Sequence, residues 1–281
     1  MDQGPVGFVL GGGGVLGAVE VGMLQALLEA EIYPDIVVGT SVGALNGALL
    51  ARYPDLSVVA RLRRLWEAAS SGGELYADGR VRQLRRAART GTHLHSARGL
   101  REGLQRELGE VHFDELPVEF QCCAASIERA AEHWFSSGRV VDAVVASAAV
   151  PGLLPPVNID GEHFLDGGIV NSIPIGRAVE LGARRLFILQ VGRADRPLSP
   201  PKRPWEVARV SFEIARRHRF AREMSTLPAG VDAHVLPTGG EGGKRDDSLL
   251  AYRDFSGVQT RIEQAFRASA SYLRQHLEQP R

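Results

Sequence analysis

This chain of 281 residues has little of several things that direct the chemistry of other proteins. Its only cysteines, Cys122 and Cys123, are adjacent. Neighbouring residues on a strand point to opposite faces, so the pair reads as two buried thiols and not as a disulfide or metal site. Aromatic residues make up only 6% of the sequence. Lys plus Arg and Asp plus Glu each number 33, so the formal charge is zero and the electrostatic footprint of a nucleic-acid binder is missing. No uncharged apolar run reaches the ~18 residues of a membrane-spanning helix. The opening stretch, MDQGPVGFVL, has no basic segment and predicts no secretory leader. No carboxylates cluster with the spacing of a calcium loop. These absences lead us to expect a cytoplasmic globular protein without metal or other cofactor, and without nucleic acid as a partner. Hydrophobic residues at 44% and charged residues at 23% are ordinary for such a protein.

What the chain does have is concentrated between residues 6 and 47. Gly7-Phe8-Val9-Leu10 is a short apolar run of strand type, followed by a glycine loop from Gly11 to Gly14. From Val15 to Glu31 the apolar residues Leu16, Val19, Met23, Leu24, Leu27 and Leu28 recur at helical spacing. A second apolar run, Ile36-Val37-Val38, leads directly into Gly39-Thr40-Ser41-Val42-Gly43. A further helix should follow, with Ala44, Leu45, Ala48 and Leu49 on one face. The plan is strand, glycine turn, helix, strand, tight turn bearing a serine, helix.

Gly-x-Ser-x-Gly between a strand and a helix is the pattern of a nucleophile elbow. A turn that sharp has no room for side chains at Gly39 and Gly43. Ser41 would stand at a helix N-terminus, where the dipole favours developing negative charge. The amides of Gly12, Gly13 and Gly14 carry no neighbouring bulk and could form an oxyanion hole beside it. Gly12-x-Gly14-x-x-Gly17 also fits a dinucleotide-binding fingerprint. That fold needs an acid at the end of the second strand. Here Asp35 precedes the strand and Gly39-Thr40-Ser41 ends it, which disfavours a nucleotide site.

Arg52 to His112 reads as helical and basic, with candidate helices over Leu56–Trp66, Val81–Arg89 and Ala97–Leu108. Its arginines (Arg61, Arg63, Arg64, Arg80, Arg82, Arg85, Arg86 and Arg89) suit a solvated helix face better than a lipid contact. Strands are expected at Phe120–Ala125, His133–Phe135, His163–Leu165, Leu186–Val191 and Ala233–Leu236. Helices are expected at Val140–Ala149, Ile175–Leu181 and Trp205–Met224. A last helix should carry Val258, Ile262, Ala265, Phe266, Ser269, Tyr272 and Leu273 on one face. Pro151-Gly152 and Pro155-Pro156 force an irregular loop, Arg193–Pro204 reads as another, and Thr238–Asp247 as a mobile one. The helix over Trp205–Met224 carries Arg209, Arg216, Arg217, Arg219 and Arg222. It reads as a helix covering the sheet with a solvated basic face, ahead of a membrane-surface helix.

Asp166 ends the strand at His163–Leu165 and is followed by Gly167 and Gly168. Asp-Gly alone is a common turn signal. Next to a serine elbow it has a second use, because a serine hydroxyl needs a base to become a nucleophile. A partly desolvated carboxylate has a raised pKa and accepts a proton more readily.

Three blocks in this order and spacing resemble those of patatin-like phospholipases, which are lipid acyl hydrolases. They are Leu10-Gly11-Gly12-Gly13-Gly14-Val15-Leu16-Gly17, Gly39-Thr40-Ser41-Val42-Gly43-Ala44-Leu45-Asn46-Gly47 and Asp166-Gly167-Gly168-Ile169-Val170-Asn171-Ser172-Ile173-Pro174. A fourth, from Ala146 to Val157, resembles the family's proline loop. The likeness runs from about residue 6 to about 192. It implies an α/β fold, a three-layer α/β/α sandwich on a mainly parallel sheet. We expect one domain over 1–281, completed by helices and one strand after residue 193. It implies a Ser41–Asp166 dyad without histidine, acting through an acyl-enzyme on lipid or phospholipid esters, with Gly12, Gly13 and Gly14 as oxyanion donors. Gly39, Gly43, Gly167 and Gly168 would support the turns. Leu16 departs from the family, which usually has Arg or Lys there. That predicts weaker activity or a shift toward less anionic substrates. Two alternatives stand beside this reading. One is a Ser–His–Asp esterase, which would need His218, His234 or His276. The other is a non-catalytic lipid- or partner-binding protein that keeps the fold. Peripheral membrane contact stays open.

Overall fold

The computed structural model describes residues 4–70, 93, 95–191, 197–240 and 257–277. Its centre is a sheet whose middle strands, Val6–Leu10, Ile36–Thr40 and Arg185–Leu189, are buried on both faces, as strands covered on both sides must be. In chain order they are β1 (Val6–Leu10), β2 (Ile36–Thr40), β3 (Glu119–Ser126), β4 (Ala131–Phe135), β5 (Val157–Ile159), β6 (Glu162–Asp166), β7 (Arg185–Leu189) and β8 (Asp232–Val235). The spatial order is β5-β6-β3-β2-β1-β7-β8, with β4 paired to β3. The pairings among β3, β2, β1, β7 and β8 are parallel, whereas those of β4 and β6 with β3 and of β5 with β6 are antiparallel. The sheet is therefore mixed, with a parallel centre and an antiparallel edge.

The helices are α1 (Ala18–Glu29), α2 (Val42–Arg52), α3 (Ser57–Ser70), α4 (Arg98–Leu108), α5 (Val140–Ser147), α6 (Ile175–Glu180), α7 (Pro204–Ser225) and α8 (Val258–Leu277). Alternation along the strands sorts them into two layers. Phe8, Leu10, Val37, Phe187 and Leu189 face one way and pack with Met23 of α1, Leu45 of α2, Leu62 of α3, Leu104 of α4, Val144 of α5 and Ile262 of α8. Val9, Ile36, Val38, Leu186 and Ile188 face the other way, against Ile175 and Ala178 of α6 and Phe220 and Met224 of α7. The result is the expected three-layer arrangement.

One junction positions the site. The first part of β3 pairs with β2 as far as Thr40↔Cys123, and its last three residues pair with β6 from Asp166↔Ala124. β4 runs along Cys122–Ser126 and overlaps both of these stretches. A strand has only two edges, so β2 and β6 must share the edge opposite β4. They run toward each other along it, and their C-terminal residues meet at adjacent rungs of β3.

Several expectations are corrected by packing. The helix expected from Val15 starts as a 3-10 turn, Gly14–Gly17, and becomes α-helical only at Ala18. There the chain must pass α2 so closely that a Cβ on Gly17 would sit 2.5 Å from Val42. Helix α2 is buried all round, because it is wedged between the sheet and other helices instead of lying on the surface. β5 was not expected. It forms a hairpin with β6 through Asp160 (φ 51°) and Gly161 (φ 86°), a two-residue turn that Asp-Gly favours. The basic faces are not simply solvated. Arg61 stacks on Tyr53 at 3.9 Å and Arg63 bonds Gln259 and Gln25, while Arg216 and Arg217 are paired with Glu213. The candidate helix at 81–89, Arg80, Arg82, Arg85, Arg86 and Arg89, and most of the loop at 238–247, lie outside the described residues.

Helices α1 and α8 touch through their backbones. A Cβ on Gly22 would stand 2.1 Å from the Ile262 carbonyl oxygen and 2.7 Å from the Phe266 nitrogen. Neither group can move without breaking α8. Gly22→Ala is expected to destabilise the protein by about 1–3 kcal/mol, the usual cost of overpacking. Thermal unfolding checks this; an unchanged midpoint would show that the helices are not in such close contact.

Candidate active site

Ser41 follows β2 and caps α2 with φ 56° and ψ −121°. That conformation is strained for a residue with a side chain, and close packing holds it. A Cβ on Gly39 would lie 2.4 Å from the Gly43 carbonyl oxygen, and one on Gly43 would lie 2.3 Å from the Leu10 carbonyl oxygen. The serine backbone N–H donates to Ser147 Oγ (2.9 Å), and the Ser147 hydroxyl donates to the Cys123 carbonyl (2.6 Å). Ser147 therefore ties the elbow to β3.

Asp166 ends β6 and is almost wholly buried. The Ser41 hydroxyl donates to its Oδ2 at 2.6 Å, and the Gly168 N–H donates to its Oδ1 at 2.7 Å. Burial pushes its pKa up from 3.8 to about 6, although both of these hydrogen bonds favour the charged form. The turn behind it is anchored twice. The Thr40 hydroxyl donates to the Asn171 carbonyl at 2.8 Å. Arg219 of α7 donates to the Val170 carbonyl (2.7 Å), Glu132 (3.1 Å) and Glu223 (2.8 Å). A Cβ on Gly167 would lie 2.1 Å from the Cys123 carbonyl oxygen, so this turn presses directly on β3.

The glycine loop lies beside this pair. The Gly11 amide donates to the Leu189 carbonyl (3.0 Å), and the Gly12 amide to the Ser172 carbonyl (2.8 Å). The Gly12 amide is thereby committed to holding the loop in place and is not free to meet an anion. The amides of Gly13 and Gly14 have no hydrogen-bond acceptor among the described residues. Leu16 is packed in the apolar core beneath the loop. An apolar cavity of about 70 Å³ opens at Ser41, bounded by Val15, Leu45, Leu65, Trp66, Leu100 and Leu154 among others.

The structure brings together Ser41, Asp166 and the glycine loop. Among the described residues, neither the Ser41 hydroxyl nor the Asp166 carboxylate hydrogen-bonds a histidine. His234 contacts Tyr272 (3.2 Å) and Asp232 (3.1 Å), and His276 contacts the Tyr272 carbonyl (2.9 Å). Among the described residues, neither these two nor His218 bonds Ser41 or Asp166. Cys122 and Cys123 are free and buried, with thiol pKa values pushed upward by burial.

The family model for patatin-like phospholipase matches residues 8–179, more than half of the chain. The chain belongs to the patatin-like phospholipase family. Among its relatives, Lysophospholipase nte1 of Aspergillus terreus is 35% identical over 190 residues, which is 68% of this chain and 12% of that protein. Lysophospholipase nte1 of Neurospora crassa is 30% identical over 194 residues, with the same coverage. The chain thus spans about an eighth of the length of these relatives. The crystal structure of VipD from Legionella pneumophila shares the patatin-like fold with a TM-score of 0.52 at 17% identity, over 97% of this chain and 67% of that one.

Sequence reasoning gave Ser147 and Arg219 no part in the site. Ser147 falls at the start of the Ala146–Val157 block that resembles the family's proline loop, where nothing marks it as a partner of Ser41, and Arg219 is one of several arginines on α7. Neither betrays its partner, because both act on residues far away in the chain.

The raised pKa of Asp166 has a consequence for stability. The folded state holds this proton more tightly than the unfolded chain does, so stability falls as pH rises from near 4 through about 6 and stays reduced above that. The full difference amounts to roughly 3 kcal/mol. Asp166→Asn keeps the size and an acceptor oxygen for the Gly168 N–H, turns its NH2 toward the Ser41 oxygen, and removes the titration. At pH 8 it is expected to unfold at a higher temperature than wild type, and the advantage should vanish near pH 4. Thermal unfolding across that range checks it; a difference that does not change with pH would contradict the raised pKa.

Proposed function

We propose that this chain is a serine lipid acyl hydrolase in which Ser41 is the nucleophile and Asp166 the general base. The observation that carries this reading is the 2.6 Å hydrogen bond from the Ser41 hydroxyl to a buried carboxylate, with no histidine between them. Ser41 Oγ attacks the ester carbonyl carbon as its proton passes to Asp166 Oδ2. The amides of Gly13 and Gly14 are the donors proposed for the oxyanion; each such donor is worth roughly 2.7–4 kcal/mol in the transition state. Gly12, included in the sequence reading, leaves this set because its amide is already bonded to Ser172. Collapse of the intermediate breaks the ester C–O bond, and Asp166 returns the proton to the leaving alcohol. Water, deprotonated by the same carboxylate, then attacks the acyl carbon; the bond to Ser41 Oγ breaks, Asp166 gives the proton back to that oxygen, and the fatty acid leaves.

The apolar cavity at Ser41 suits the first part of an acyl chain. The names of the fungal relatives add lysophospholipids to the substrates worth testing. With Leu16 buried, no cation from that position reaches the loop, which supports a preference for neutral or zwitterionic head groups over anionic ones. Ile169 and Phe212 stand exposed near the Asp166 turn and support peripheral contact with the lipid surface. No described helix is long and apolar enough to cross a membrane.

Hydrolysis of phospholipid, lysophospholipid and simple fatty esters tests the proposal. With Asp166 as the base, kcat/KM should fall as pH drops through about 6, because protonation removes the acceptor. Ser41→Ala and Asp166→Asn should each lower kcat by at least about 10³-fold. A variant at His218, His234 or His276 that loses as much would instead favour a triad. Well-folded wild type without turnover on any ester would favour the lipid-binding alternative.

A further inference from the structure

Glu20 is a carboxylic acid with no exposure to solvent, placed in the apolar layer between α1 and α2. Its Oε2 accepts a hydrogen bond of 2.6 Å from Asn46 Nδ2. Its Oε1 accepts no well-formed hydrogen bond among the described residues, although the Gly11 backbone is near enough to favour the charge. Burial holds this carboxyl well above the usual carboxylate range. The same Asn46 Nδ2 donates to the Gly17 carbonyl (3.0 Å), and Asn46 Oδ1 accepts from the Trp66 indole N–H (3.3 Å). The Asn46 amide is thus used on both sides, and Asn46 itself is fully buried.

This chain of bonds joins three elements around Ser41. Glu20 lies on α1, just past the glycine loop. Asn46 lies on α2, the helix that Ser41 caps. Trp66 lies on α3 and its ring is part of the wall of the Ser41 cavity. A buried polar network is seldom the most stable solution, since apolar groups of the same volume often do as well or better. What it supplies is a fixed geometry. The cavity is only about 70 Å³, roughly half of one known to admit benzene. Trp66 is one of the residues that line it, so the room beside Ser41 changes if its ring moves.

We propose that the Glu20–Asn46–Trp66 chain is a specificity device that pins the Trp66 indole across the Ser41 cavity and so limits the length of acyl chain accepted. The proposal rests on the acyl hydrolase reading for its substrate and on the hydrogen bonds alone for the pinning. Glu20 and Asn46 act as positioning residues. Neither would touch the reacting atoms.

Two readouts test it. The first is the ratio of kcat/KM for p-nitrophenyl palmitate to that for p-nitrophenyl butyrate. Glu20→Leu removes the acceptor for Asn46, frees the indole, and should raise the ratio by at least about tenfold, the scale of discrimination that a few methylenes give in an apolar pocket. Glu20→Gln keeps an oxygen for Asn46 and should leave the ratio near that of wild type. Trp66→Phe keeps a ring but removes the N–H, and should move the ratio in the same direction as Glu20→Leu, which decides the matter if Glu20→Leu does not fold. The second readout needs no turnover. With Trp134 and Trp205 replaced by Phe, Trp66 is the sole indole of the three in the chain. Its quenching by acrylamide should rise in Glu20→Leu and stay low in Glu20→Gln. An equal fall in both esters, with quenching unchanged, would overturn the proposal and leave Glu20 a purely structural group. A wild type inert to both esters but with quenching that responds as expected would remove the hydrolase reading and leave the pinning intact.

Discussion

The site depends on one geometric fact, the meeting of β2 and β6 end to end along a single edge of β3. Parallel pairing brings Thr40 to Cys123, and antiparallel pairing brings Asp166 to the next rung, Ala124. Two residues 125 positions apart in the chain thereby come within one hydrogen bond. Most of the other contacts at the site protect this junction. Ser147 bridges the elbow to β3, Gly167 lies against Cys123, Thr40 holds Asn171, and Arg219 secures the turn from outside. Loosening any of these would lengthen the 2.6 Å hydrogen bond on which the proposed proton transfer depends.

The same junction accounts for the electrostatics. A carboxylate at the end of a core strand, covered by the elbow and by α7, loses most of its hydration. Burial raises its pKa to about 6, and the two hydrogen bonds to Oδ1 and Oδ2 keep it from going higher. A carboxylate in that range is a stronger base than a free aspartate and still ionised at neutral pH. That is the property the proposed mechanism asks of Asp166, which would serve Ser41 without an intervening imidazole.

Much of this was legible in the sequence because it is written in local signals. The strand–glycine–helix pattern of residues 6–47, the elbow, and Asp166 at a strand end followed by two glycines all announce themselves within a few residues of chain. The buried runs of β1, β2 and β7 and the apolar face of α8 were equally plain. What was not legible depends on distant partners. Nothing near Gly12 says that its amide is taken by Ser172, and nothing near Ser147 says that it holds Ser41. Asn46 could be quoted as part of a motif, but its bonds to Glu20 and Trp66 exist only in the fold. The hairpin of β5 and β6 is a different case, since Asp160-Gly161 is a local hairpin-turn signal that stands beside the loop signal of Pro155-Pro156.

In the mechanism we propose, Ser41 is made nucleophilic by direct contact with Asp166. Labelling with a fluorophosphonate, followed by mass mapping of the modified peptide, tests it most directly, because the reagent reports the reactivity of the serine without needing the right lipid. The account predicts a label on Ser41 in wild type, at a rate that falls as pH drops through about 6, and almost none in Asp166→Asn. Equal labelling of Ser41 in wild type and Asp166→Asn, or a label on another residue, would contradict it.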